Sequence, residues 1–205
     1  MTYTRRKFIQ TTALATGSLA LTGSSSALIK DGDMSAERPL FVSTWPFGKA
    51  ANERSLEIFE GGGSVLDAVE MGIHVPEADE SNASVGLGGI PNAEGVVQLD
   101  ACIMDGEGQR AGSVAGIEDI LHPISVARKV MDETKHVMLV GEGARQFALS
   151  QGFEKVNLLT EEQRLKWEKW KKEQHKADNH DTIALLGVDA NGHIAGGCST
   201  SGWGY

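Results

Sequence analysis

The chain has 205 residues and a formal net charge of −9, with 40% hydrophobic and 23% charged residues. That length suffices for one substantial core, and the composition excludes disorder over most of the chain. An acidic body is repelled by phosphate backbones, and no basic patch with interleaved aromatics offsets the charge, so nucleic acid is excluded as a partner.

Basic charge gathers at the start: residues 1–30 carry Arg5, Arg6, Lys7 and Lys30 and no acid. Thr4-Arg5-Arg6-Lys7-Phe8-Ile9-Gln10 is a twin-arginine pattern, followed by a mildly apolar stretch from Thr11 to Thr22 and small residues from Gly23 to Ala27. This order describes an export signal of the twin-arginine route over residues 1–30; a disordered basic tail is the alternative. The apolar part is too short and too polar to span a bilayer, so no membrane association is expected. The mature protein is expected to begin near Leu28–Ser35 and to work in the periplasm or outside the cell.

Pro39–Thr44 reads as a short buried strand, and Ala50–Glu60 as a helix with Leu56 and Phe59 on one side. Gly61-Gly62-Gly63 stops it. Ser64 caps a second helix with Asp67 in its first turn, and Val65, Ala68, Val69 and Ile73 form its apolar stripe. His74 beside that stripe reads as a core or surface histidine rather than a ligand. Gly86-Leu87-Gly88-Gly89 lacks the fingerprint of a dinucleotide site.

Gly95–Asp105 is a strand candidate, and the turn-rich Gly106–Arg110 leads to its antiparallel partner, Ala111–Gly116. Pro123 opens a helix to Glu133; His136–Val140 is a strand and Gly141–Gln151 a helix. Thr160-Glu161-Glu162-Gln163 is a capping-box pattern ahead of the charged run Arg164–Lys176. Trp167 and Trp170 in that run pin one helix face to the body or, as the sharper alternative, form an aromatic binding box. His175, Asp178, His180 and Asp181 match no standard ligand spacing, so no metal and no cofactor is expected. Thr182–Asp189 is a strongly apolar strand, Asn191-Gly192 the turn after it, and Ile194–Ser201 the return strand. Interspersed helices and hairpins favour a mixed α/β or α+β sandwich. The only cysteines, Cys102 and Cys198, either bridge or pack as two thiols in strand-like runs.

A solvated segment thus ends at Asp181 and a core strand starts at Thr182. A β-branched residue opening a strand is ordinarily a strand residue and no more. The junction adds a second reading. A threonine hydroxyl becomes a useful nucleophile when a base takes its proton, and the α-amine of the same residue can do so once the preceding peptide bond is cut. That amine has a reference pKa of about 7.7–8.0, suited to proton transfer near neutrality.

The run Asn179-His180-Asp181-Thr182-Ile183, with Val188-Asp189-Ala190-Asn191-Gly192 and Cys198-Ser199-Thr200-Ser201-Gly202, closely resembles the glycosylasparaginases (aspartylglucosaminidases), N-terminal nucleophile hydrolases. Ser43-Thr44-Trp45-Pro46-Phe47-Gly48, Ser84–Gly89, Leu99–Asp105, Pro123–Arg128, His136–Gly141 and Ala148–Phe153 extend the likeness over about Arg38 to Tyr205. The resemblance implies a four-layer αββα sandwich and self-cleavage between Asp181 and Thr182. Residues 31–181 would form the α chain, with 155–181 a charged linker, and 182–205 the start of the β chain. It implies hydrolysis of the N-acetylglucosamine–asparagine amide of a small glycosylated asparagine, in a homodimer of αβ units. Thr182 would be the nucleophile, Asp181 would assist the cut, Thr200 would hydrogen-bond near the nucleophile, and Trp45 would line the substrate pocket.

The chain departs from the family pattern at Pro46, where an asparagine is usual, and at Ala184, where a glycine is common. Family members continue well beyond position 205 with an Arg-containing carboxylate site and an oxyanion hole. The chain is therefore expected to be C-terminally incomplete and nearly inactive by itself. The alternatives are an isoaspartyl peptidase or plant-type asparaginase of the same superfamily, or an inactive remnant. The first strand turn, Ser43-Thr44-Trp45 instead of a His-Gly-Gly run, favours the glycosylasparaginases.

Overall fold

The computed structural model describes residues 39–173 and 182–202, all within one unit, Glu37–Tyr205. The twin-arginine segment, Asp181 and the group His175, Asp178 and His180 lie outside the described residues.

Strand β1, Leu40–Ser43, turns at Trp45–Phe47 into helix α1, Gly48–Glu60. Helix α2, Val65–Glu77, starts at a complete capping box. The Asp67 N–H donates to Ser64 Oγ at 3.1 Å, and the Ser64 N–H donates to Asp67 Oδ2 at 3.1 Å. The stripe Val65, Ala68, Val69 and Ile73 is buried as its spacing requires. Gly72 allows α1 and α2 to touch, since a Cβ there would sit 2.8 Å from the Ala51 carbonyl oxygen.

Strand β2 runs from Leu99 to Asp105, four residues later than the sequence suggested. The intervening Glu94 and Val96 N–H groups both donate to Asn92 Oδ1 at 3.0 Å, so side-chain turn chemistry claims that backbone before the sheet can. Strand β3, Arg110–Ile117, is followed by helix α3, Pro123–Glu133, whose first residue is the proline that cannot donate. Strand β4, Met138–Val140, runs directly into helix α4, Gly141–Ser150, and helix α5 spans Glu161–Glu173. Strands β5, Ile183–Val188, and β6, Ile194–Thr200, form the hairpin. Its turn is held by the Asp189 N–H donating to the His193 carbonyl at 3.0 Å, with Gly192 at φ 86°.

The six strands form one sheet in the order β1-β5-β6-β2-β3-β4, antiparallel except for β3 and β4. Helix α2 lies across β5 and β6, α3 across β2 and β3, and α1 beside β1. The contact at Gly112 is backbone on backbone: a Cβ there would come 2.1 Å from the Ala127 carbonyl oxygen of α3. Ile73, Leu99, Ile103, Ile124, Ile183 and Leu185 fill the space between.

The chain is thus mixed α/β, as expected, with a helix layer on one sheet face. No described element covers the other face. Strand alternation sends Leu185 inward at 0% exposure and Leu186 outward at 59%, and treats Ile103 and Met104 likewise. Leu40, Val42 and Ile194 share the exposed set. A contiguous apolar face of this kind is a packing surface. No helix among the described residues is long and apolar enough to cross a membrane.

Candidate active site

Thr182 is exposed at the entrance to β5. Ile183, Leu185 and Gly187 point toward the helices, so alternation sends Thr182, Ala184 and Leu186 to the open face. The β5–β6 register pairs Ile183 with Ser199, and one further step sets Thr182 opposite Thr200. On the other side of β6, Thr200 pairs with Asp100. Asp100 and Thr200 thus pair on this face, and Thr182 falls next in the same line just before β5 begins.

Thr44 fixes the start of β5. Its hydroxyl donates to the Thr182 carbonyl at 2.9 Å and accepts from the Ala184 N–H at 3.0 Å, while its own N–H donates to the Ala184 carbonyl at 3.1 Å. One side chain thus takes up a donor and an acceptor that β1 leaves unpaired when it ends at Ser43. It also sets the orientation of the Thr182 peptide group. Trp45 follows immediately, at φ 63° and 53% exposed. A left-handed backbone at an aromatic residue costs about 1–3 kcal/mol and persists where surroundings impose it. Here the Gly48 N–H donates to the Trp45 carbonyl at 3.1 Å and the Lys49 N–H to that of Pro46 at 3.2 Å. The turn leaves Trp45 exposed one residue after Thr44, whose hydroxyl bonds the Thr182 carbonyl.

The Thr200 hydroxyl accepts from the Gly202 N–H at 3.1 Å and reaches the Ser84 carbonyl at 3.5 Å. The Ser201 N–H donates to that carbonyl at 2.8 Å, which ties the end of β6 to the Asn82–Ser84 loop. Asp100 accepts from the Gly116 N–H at 2.7 Å through Oδ1.

Behind the sheet lies a buried polar chain. Glu77, fully buried at the end of α2, accepts from Ser199 Oγ at 2.8 Å, from the Ile124 N–H at 3.2 Å and from His122 Nδ1 at 3.0 Å. Burial pushes its carboxyl above the usual range, and the donors only partly offset this. The His122 ring stacks on His74, centroids 3.8 Å apart and 10° from parallel. Ser125 donates to Glu70 at 2.5 Å, so it accepts from His74 Nε2 at 2.6 Å, which assigns the proton to that nitrogen. Burial, then the nearby His122 and Arg54, lower the His74 pKa to about 4, and the ring is neutral.

His74, Glu77 and His122 bring donor atoms within 4.8 Å of one another. A cation needs imidazole lone pairs that converge in the ring planes, and near-parallel stacked rings cannot supply two to one ion. The cluster is a hydrogen-bonded brace under β6. A depression of about 190 Å³, lined by Val96, Asp119, Asn157 and Leu158 among others, contains none of Trp45, Thr182 and Thr200.

A family model described as asparaginase matches residues 17–205. The chain belongs to the asparaginase family. Among similar asparaginase-family proteins, the N(4)-(beta-N-acetylglucosaminyl)-L-asparaginase of Elizabethkingia miricola is 46% identical over 212 residues, covering 100% of this chain and 62% of the relative. The protein of that name from Rattus norvegicus is 36% identical over 199 residues, covering 80% and 57%. An isoaspartyl peptidase/L-asparaginase from Rattus norvegicus is 39% identical over 163 residues, covering 75% and 48%. The chain therefore spans about half to three fifths of the length of these curated relatives.

Of the residues expected from sequence, Thr182 falls one register step beyond the Ile183–Ser199 pair, level with Thr200, and Trp45 is the neighbour in sequence of Thr44, which bonds the Thr182 carbonyl. Thr44, Asp100 and Glu77 were not anticipated. A trace of Asp100 was legible, because an acid between Leu99 and Ala101 faces away from the core. Thr44 lay within the Ser43–Gly48 run without an assigned part, and Glu77 is revealed only by partners distant in sequence. Trp167 is pinned to the body, its Nε1 donating to the Ala93 carbonyl at 3.2 Å and its ring closing on Gly95. That is the packing alternative for this tryptophan.

Proposed function

We propose that this asparaginase-family protein is an autoproteolytic amidohydrolase of the glycosylasparaginase type, with Thr182 as the residue that cuts and is then exposed by the cut. The observation that carries the reading is the placement of Thr182: exposed at a strand entrance, opposite Thr200, with its peptide group oriented by Thr44.

In the first step Thr182 Oγ1 attacks the Asp181 carbonyl carbon, and the acyl group moves from nitrogen to oxygen. Water then hydrolyses the ester, leaving a carboxylate on Asp181 and a free amine on Thr182. In the second step that amine takes the Thr182 hydroxyl proton while Oγ1 attacks the side-chain amide of a glycosylated asparagine. The glycosylamine leaves, and water releases aspartate from the ester. Thr200 is suited to hydrogen-bond the nucleophile or its amine, and Trp45 to cover the substrate. Asp181 assists the first step.

The relatives' names support the substrate class, and the twin-arginine pattern supports action in the periplasm or outside the cell. A homodimer of αβ units belongs to the same reading. The isoaspartyl peptidase/L-asparaginase relative favours a second reading, in which free asparagine or an isoaspartyl dipeptide is the substrate. The test is to offer the whole protein a glycosylated asparagine, free asparagine and an isoaspartyl dipeptide in parallel. Preferential aspartate release from the first, lost in Thr182→Ala, is the expected result. Turnover that survives Thr182→Ala overturns the nucleophile, and preference for either other substrate favours the second reading.

A further inference from the structure

The open sheet face carries a group that neither the cut nor the amide chemistry uses. Cys102 of β2 and Cys198 of β6 are paired in register on adjacent antiparallel strands, and their Sγ atoms lie 3.3 Å apart as free thiols. Each sits two residues from a member of the polar line, Cys102 from Asp100 and Cys198 from Thr200, on the same face.

The geometry points to a redox-active dithiol: Cys102 and Cys198 form a cross-strand disulfide when the folded protein meets a small disulfide, which is reduced to two thiols. Directly opposed residues on antiparallel strands have Cα atoms about 4.5–5.5 Å apart, inside the span of about 4.4–6.8 Å that a disulfide accepts. The thiols need only rotate toward each other, with no movement of the strands. Both are half-buried on the sheet face that no described element covers, so in this 205-residue chain a small oxidant reaches them.

The two sulfurs have different roles. The two Sγ atoms share one hydrogen bond, so a single charge is favoured on the pair: the Cys102 thiol is held below the usual range and the Cys198 thiol above it. The Cys102 thiolate attacks the oxidant's S–S bond, joins one sulfur and expels the other as a thiolate. Cys198 then loses its proton and attacks Cys102 Sγ, expelling the second oxidant sulfur. The protein gives up two electrons and two protons, and the oxidant's disulfide becomes two thiols. The bridge closes a loop between residues 96 apart and staples β2 to β6 beside Asp100 and Thr200.

The experiment treats this folded 205-residue chain with oxidised glutathione, quenches with iodoacetamide and reads intact and peptide masses. The expected wild type is lighter by two hydrogens, resists alkylation and yields one peptide pair joining Cys102 to Cys198. Cys198→Ser is expected to stop at a glutathione adduct on Cys102, because the resolving thiol is gone. The bridge is expected to raise the melting temperature by about 5–10 °C, reversed by dithiothreitol. Wild type that keeps both thiols alkylatable, accumulates a stable glutathione adduct or links only between molecules overturns the proposal. An unchanged melting temperature in the bridged protein overturns the staple. None of these readouts depends on amidase activity, so the dithiol and the nucleophile can fail separately.

Discussion

The two faces of the sheet are built from the same strands and do different work. Toward the helices, Ile103, Ile183 and Leu185 pack without exposure, and the fully buried acid Glu77 has three donors. Toward the open side, Met104 and Leu186 stand exposed, and the polar residues gather at a single end. Neighbours in one strand thus divide between cohesion and chemistry. Alternation makes this possible because fixing Ser199 to Glu77 behind the sheet also fixes Thr200 in front of it.

The difference is sharpest within β5. Leu185→Ala is expected to destabilise the fold by about 2–5 kcal/mol, since it leaves a cavity among residues that cannot collapse. Leu186→Ala, one residue on, is expected to cost under about 1 kcal/mol. Urea unfolding of both variants in this chain checks the contrast. Similar losses would mean that the open face is packed as tightly as the other.

At the boundary between the faces, Thr44→Val keeps the shape but removes both hydrogen bonds of the hydroxyl. Loss of oriented peptide geometry is expected to slow the cut before Thr182 by on the order of tenfold in the whole protein. An unchanged rate, followed by gel after inhibitor-free expression, would reduce Thr44 to strand pairing.

The smallest effect is on the closed face. His74 is neutral when folded, with its pKa lowered to about 4, whereas an unfolded histidine titrates near 6.5. Between those values the unfolded chain binds more protons, so this contribution to stability is present above pH about 6.5 and is lost progressively as pH falls to about 4. Glu77, raised by burial, contributes the opposite slope above the ordinary carboxylate range. His74→Gln is therefore expected to flatten the fall in melting temperature between pH 7 and pH 4. A slope unchanged by that substitution would assign the acid sensitivity to other groups.

Local features were legible in the sequence because their causes are local. The Ser64 cap, the Pro123 helix start and the Asn191-Gly192 turn each depend on residues within a few positions, and the structure has all three. The start of β2 was misread because apolar Val96 and Val97 outweighed the turn that Asn92 organises. The Thr182–Thr200–Asp100 line needed the strand order, and no pattern along the chain declares that β6 lies between β5 and β2. The Glu77 brace needed still more, since it joins α2 to Ser199 across 122 positions.

The central claim is that Thr182 is made an N-terminal residue by its own hydroxyl. Intact-mass and N-terminal sequencing of the purified whole protein test it directly. The account predicts two polypeptides, the second beginning at Thr182, and one uncut inactive chain for Thr182→Ala. A single uncut wild-type chain that hydrolyses its amide substrate would contradict it.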